Sequence, residues 1–284
     1  MTATTTPPHT RTKPATLRWL LLWGTLATTA YAAQIAELAY HLADHRIGAG
    51  PFAWIECAGV LAAATCTIRL RLTRGGTEAW RDPVVLTAAV LALCRLTVAA
   101  EDGSVAGDLL RLLLNPLVLA LLAAELMRRV GAPVRFTRPT WRTAGLAVLS
   151  ALCYLLALRA AAAVADLIAQ YYPVPAPTAG FDAHDHVPAI ALAAMSLALP
   201  LIEELVLTGA LVTIGRQLRV PVPVLLAAAA AGRIALHAYL GAPGLASAVF
   251  AVAAVALYWD QRRLLPLVAA HVAWDLHALV LAPA

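Results

Sequence analysis

The chain is poor in charge. Asp, Glu, Lys and Arg make up 13% of its 284 residues, against about 25% in an ordinary soluble domain, which excludes a water-exposed globular domain. Cysteine is sparse as well. Cys57, Cys66, Cys94 and Cys153 all fall inside apolar stretches. Their spacing fits neither a metal-ligand set nor a secreted disulfide framework, so they read as small core residues. The net charge of +5 comes from arginines in short loops. It therefore reports orientation in a membrane and gives no reason to expect a nucleic-acid partner.

What the chain has in excess is apolar surface: 61% hydrophobic residues and a mean hydropathy of +0.76. The excess is cut into separate runs, each near the ~20 residues that cross hydrocarbon. The fold class that follows is all-α, a polytopic transmembrane helix bundle of about nine spans: 17–38, 52–68, 83–100, 107–127, 143–165, 187–214, 222–238, 244–260 and 264–282.

The loops test that count independently, because Lys and Arg gather on the cytoplasmic side. Arg11, Lys13 and Arg18 precede the first span. Arg69, Arg71, Arg74 and Arg81 follow the second, and Arg128, Arg129, Arg135, Arg138 and Arg142 the fourth. Arg216 and Arg219 follow the sixth, and Arg262 and Arg263 the eighth. The alternate loops carry only Arg46. This alternation predicts a multi-pass protein of the cell membrane, with the N-terminus inside and the C-terminus outside. "AYA" at 30–32 imitates a secretory cleavage site, but the first run is long enough to stay as a signal anchor. Residues 1–16, rich in Thr and Pro, read as a disordered cytoplasmic tail. An outer loop at 171–186 then separates five spans (17–170) from four (187–284).

The last four spans carry polar residues at helical spacing. "ALPLIEELVLTGAL" sets Glu203 and Glu204 inside an apolar run, where each ionised carboxylate costs about 2.5–3.5 kcal/mol at the membrane centre. Neighbours on a helix diverge by about 100°, so the two cannot both face one point, and they are expected to have different jobs. "GRIALHAYLG" places Arg233 and His237 four apart on one face, and "HVAWDLH" does the same for His271 and Asp275. His237 lies toward the outer end of its span, so a meeting with Glu203 requires a tilt, a kink or a late start.

These strings resemble the CPBP intramembrane proteases, which include the type II CAAX prenyl endopeptidases and bacterial relatives linked to bacteriocin processing. The family's motifs run EExxxR, FxxxH and HxxxN or HxxxD on separate membrane helices, and the resemblance covers about 187–282. It implies a four-span catalytic core that hydrolyses a peptide bond with an activated water. By motif position, Glu203 would be the general base, His237 would hold the water, and His271 would support the oxyanion, oriented by Asp275. Glu203, Glu204, His237, His271 and Asp275 are thus the candidate catalytic residues. The implied partners are a peptide or protein substrate, lipid-modified or not, and the bilayer itself.

Two positions depart from the pattern: Thr208 stands where the family has arginine, and Arg233 where it has phenylalanine. Arg233, from the adjacent helix, is the candidate to supply the cation that Thr208 cannot. Glu203, His237 and His271 would also form a metal set, two imidazoles and a carboxylate, for one divalent ion such as zinc. The soluble zinc proteases' HExxH spacing is absent, which favours a metal-free mechanism. The rival function is that of an inactive relative acting as a membrane scaffold or immunity factor. Elsewhere, Glu56, Arg95, Arg111 and Arg159 are expected to pair with one another or line a substrate path. His277 and "DAHDH" (182–186) read as surface residues, and Trp19, Trp141 and Trp259 as interfacial anchors.

Overall fold

A computed structural model describes residues 14–32, 35–36, 50–75, 81–99, 105–129, 141–172 and 189–278. Among them every regular element is helical. The helices are α1 (Pro14–Ala30), α2 (Gly50–Gly75), α3 (Pro83–Ala99), α4 (Val105–Arg129), α5 (Trp141–Ala169) and α6 (Ala189–Glu203). A π-helical segment, Glu204–Ala210, joins α6 to α7 (Leu211–Gln217), followed by α8 (Val222–Leu236), α9 (Ser247–Gln261) and α10 (Leu265–Leu276). With Ala189–Gln217 taken as one rod, the described residues form nine rods at the nine expected runs. Three helical stretches have the length and apolarity to cross a membrane: Thr143–Ala169, Ser196–Gln217 and Ala242–Gln261. Pro83–Thr97, Val222–Leu236 and Leu265–Leu276 are shorter apolar helices.

Local chemistry accounts for most boundaries. Leu- and Ala-rich runs favour helix. Pro14, Pro83 and Pro266 sit in first turns, where the missing N–H costs nothing. Arg128 and Arg129 close α4 at the end its dipole makes negative. In the first run α1 ends at Ala30 and the chain turns at Tyr31, with Ala32, Ile35 and Ala36 again helical. The expected tail lies largely in 1–13 and "DAHDH" in 182–186, both outside the described residues.

Helices α1 to α4 pack as one group, with α2 against α1, α3 and α4. Helix α5 packs on α9 and α10, so it sides with the C-terminal helices although the outer loop separates it from them in sequence. Helix α4 joins the groups by packing on α6 and the π segment. Several helix ends that carry the loop arginines are tied together. Arg71 pairs with Glu125 at 3.1 Å, Arg128 Nε donates to Glu125 at 2.9 Å, and Arg263 donates to the Thr143 carbonyl at 2.7 Å. Arg216 donates to the Trp259 carbonyl and covers the Trp259 ring at 4.3 Å.

Helix α8 has 15 residues, about 22 Å at 1.5 Å each, less than the ~30 Å hydrocarbon thickness. It stops at His237 (φ −97°, ψ 15°) and continues as two 3-10 turns, Ala238–Leu240 and Ala242–Ala246. Gly241, at φ 65°, reverses the chain, and a Cβ on Gly244 would run into the His237 carbonyl oxygen. Pro243, Gly244 and Ala246 are buried, and this turn packs on α5. Such irregular backbone is tolerated at membrane depth only when protein covers it.

Candidate active site

The π segment begins at the second glutamate. A π turn widens the helix and shifts the register of side chains on either side of it, which is why such turns recur at functional sites. Glu203 and Glu204 point apart: the Glu204 side chain is fully buried, while that of Glu203 is 15% exposed. A single arginine nevertheless reaches both. Arg233 pairs with Glu203 through Nη1 and with Glu204 Oε1 through Nη2 at 2.6 Å. Its planar fork spans a divergence that one ammonium could not.

Glu204 is the hub. Its Oε1 also accepts from the Tyr154 hydroxyl at 2.5 Å and from His271 Nδ1 at 3.0 Å, and its Oε2 accepts from Thr208 Oγ1 at 2.8 Å. The four partners come from α5, the π segment, α8 and α10, so one carboxylate ties four elements together. Thr208 replaces an arginine of the family motif, yet it still bonds the same glutamate one turn back, and the positive charge arrives from α8 instead. Burying the charge is tolerable because donors fill its acceptor sites.

Phe250 on α9 occupies the centre of the ring cluster. Its ring stands edge-on to His237 (5.6 Å, 78°), His271 (5.7 Å, 63°) and Tyr154 (6.4 Å, 62°). The Arg233 guanidinium carbon lies over it at 5.1 Å. Tyr154 and Phe250 were not legible as site residues. Neither shares a helical spacing with the motif residues, and each sits in an unbroken apolar run.

The hydrogen bonds fix the ring tautomers. His237 Nδ1 lies 2.9 Å from the Arg233 carbonyl oxygen, which only accepts, so Nδ1 carries the proton and the neutral ring offers a lone pair at Nε2. His271 Nδ1–H donates to Glu204 in the same way. Its Nε2 is 3.8 Å from Asp275 Oδ1, an ion-pair distance too long for a hydrogen bond. Glu204, rather than Asp275, makes the bond that sets the His271 ring.

Glu203 lines a cavity of about 760 Å³ built from α1, α4, α6, the π segment, α7 and α8. Its walls are mostly apolar, including Ile202, Leu207, Leu225 and Ile234, with Thr28 and Tyr31 on the α1 side.

Residues 185–277 match the family model described as Type II CAAX prenyl endopeptidase Rce1-like. Over that stretch, about a third of the chain, the protein is similar to the CAAX-protease family. Comparisons with curated proteins and with solved structures gave no match. The family implies a membrane-embedded peptidase, and the matched residues contain every motif position of the cluster around Glu204. Tyr154 and the α1 wall of the cavity lie outside the matched residues.

Among the described residues, no three His, Cys, Asp or Glu side chains are grouped as they would be around a metal ion. In this arrangement Arg233 pairs with the Glu203 carboxylate.

The other buried polar residues form a separate cluster. Arg95 pairs with Glu56 at 3.6 Å and donates to Asn115 Oδ1 at 2.9 Å, and Asn115 Nδ2 donates to the Ala30 carbonyl at 3.0 Å. Arg159, by contrast, is exposed on α5, and the side chain of Arg111 lies outside the described residues. Cys57 is buried as expected of a core residue, whereas Cys153 is exposed on α5.

Proposed function

We propose that the protein is a multi-pass endopeptidase of the cell membrane that hydrolyses a peptide bond with a water activated at Glu203. The nine-crossing topology, N-terminus inside, belongs to this reading. The observation that carries it is the division of labour between adjacent carboxylates. Glu204 is buried and fully engaged in holding four elements together, whereas Glu203 opens onto the apolar cavity.

In this reading a peptide enters the cavity and Glu203 takes a proton from water as its oxygen adds to the scissile carbonyl carbon. His237 steadies that water through the Nε2 lone pair. The tetrahedral oxyanion is stabilised by His271, which donates to it from Nε2 as the imidazolium. Collapse expels the amine, which receives the proton from Glu203, and the hydroxyl remains on the new carboxyl group. The balance needs no metal, and no step passes through one.

One observation favours the second reading, an inactive relative serving as a scaffold or immunity factor: Arg233 competes with water for the Glu203 carboxylate. The test is cleavage by the purified full-length protein in lipid vesicles. The substrates are an apolar peptide ending in a prenylated cysteine motif and the same peptide unmodified, with products read by mass spectrometry. Cleavage should fall by about 10²–10⁴-fold in Glu203→Gln and His237→Ala, with thermal midpoints retained. Intact cleavage in Glu203→Gln would overturn Glu203 as the base, and none by the unsubstituted protein would favour the scaffold.

A further inference from the structure

The cavity that meets Glu203 is dry on nearly every side, and this raises a problem for a peptide substrate. Each peptide group entering an apolar space leaves water behind, and an unpaired carbonyl or N–H there costs several kcal/mol. Few groups on the walls can answer it. Thr28 Oγ1 already donates to the Gly24 carbonyl at 2.8 Å within α1. Tyr31 is different. It lines the cavity together with Glu203, and its hydroxyl makes no hydrogen bond among the described residues.

Its position is fixed from several directions. Tyr31 sits where α1 ends, with its N–H 3.3 Å from the Thr28 carbonyl and its own carbonyl accepting from Ile35 at 3.0 Å. The preceding residue, Ala30, is buried and anchored through its carbonyl to Asn115, and through Asn115 to Arg95 and Glu56. The buried polar cluster of the N-terminal helices thus pins the backbone one residue before a tyrosine that lines the same cavity as Glu203.

We infer that Tyr31 is a substrate-binding residue, whose hydroxyl donates a hydrogen bond to a backbone carbonyl of the peptide beside Glu203. The ligand it recognises is an apolar peptide segment with its backbone exposed. The residue lies outside the matched stretch 185–277, so the N-terminal helices contribute directly to recognition. This inference rests on the peptidase reading.

The experiment separates the two. Full-length protein carrying Glu203→Gln is placed in lipid nanodiscs, with and without Tyr31→Phe. Binding is measured for a fluorophore-labelled apolar octapeptide of leucine, valine and alanine. A set of analogues, each with one backbone carbonyl reduced to methylene, is measured in parallel. Tyr31→Phe should weaken binding of the parent peptide about tenfold, the effect of one buried hydrogen bond. For one analogue the substitution should change binding less than about twofold. Equal binding of the parent peptide to both proteins, or the same weakening across the parent and every analogue, would overturn the assignment of Tyr31. Tyr31-dependent binding without cleavage by the unsubstituted protein would overturn the peptidase reading alone. Absence of binding would overturn both.

Discussion

Both halves of the bundle bury a glutamate against an arginine, and the two pairs are built to different ends. In the N-terminal group Glu56 and Arg95 are fully buried at 3.6 Å, with Asn115 tying the arginine to the α1 backbone. In the C-terminal group Glu204 and Arg233 are equally buried, but the pair extends to Tyr154, Thr208 and His271, and a second carboxylate stands beside it at the edge of a cavity. A buried ion pair holds helices together and does no more by itself. A carboxylate that shares its arginine with such a pair yet meets open space is the one free to act. On the proposed reading, Glu56, Arg95 and Glu204 hold the structure and Glu203 does the chemistry.

The largest effects should come from removing either arginine. Arg233→Ala and Arg95→Ala each leave a buried carboxylate without its cation, and each should cost about 3–5 kcal/mol, read as a lowered unfolding midpoint in detergent. The two should then part. Arg95→Ala should retain cleavage per folded molecule, whereas Arg233→Ala should lose it. Equal loss of activity in both would break the comparison. Tyr154→Phe removes one donor from Glu204 and should cost about 1–3 kcal/mol, while the analogous loss at Asn115→Leu should lower stability without touching the rate. Thr208→Val should have a smaller effect, about 0.5–1.5 kcal/mol, because Arg233 carries the charge. A chelator should have none, since the donors of the C-terminal cluster are not assembled around an ion. Inhibition that zinc reverses would contradict that.

Much of this was legible in the sequence. Apolar runs point to the helices, and helical spacing with the family resemblance picks out Glu203, Glu204, His237 and His271 as candidates on three rods, of which Glu204 and His271 are hydrogen-bonded. The interplay of Thr208 and Arg233 was also visible as a pair of departures, because a missing cation and an extra one are both conspicuous in an apolar chain. Other features carry no local signal. The π segment has the composition of any apolar helix, so its register shift was hidden. The 100° divergence suggested that Glu203 and Glu204 could not share a partner, but a guanidinium offers two faces where a point charge offers one. Tyr154 and Phe250 act across helix interfaces, and no spacing within their own helices marks them. The turn after α8 rests on Gly241 and Gly244, whose backbone demands only the folded chain explains.

The most direct test compares the two neighbouring carboxylates by measuring, on the same samples, peptide cleavage and the thermal unfolding midpoint of Glu203→Gln and Glu204→Gln. The account predicts that Glu203→Gln abolishes cleavage and leaves the midpoint within a few degrees, while Glu204→Gln lowers the midpoint strongly. Cleavage at the unsubstituted rate in Glu203→Gln, or a collapse of its stability matching that of Glu204→Gln, would contradict it.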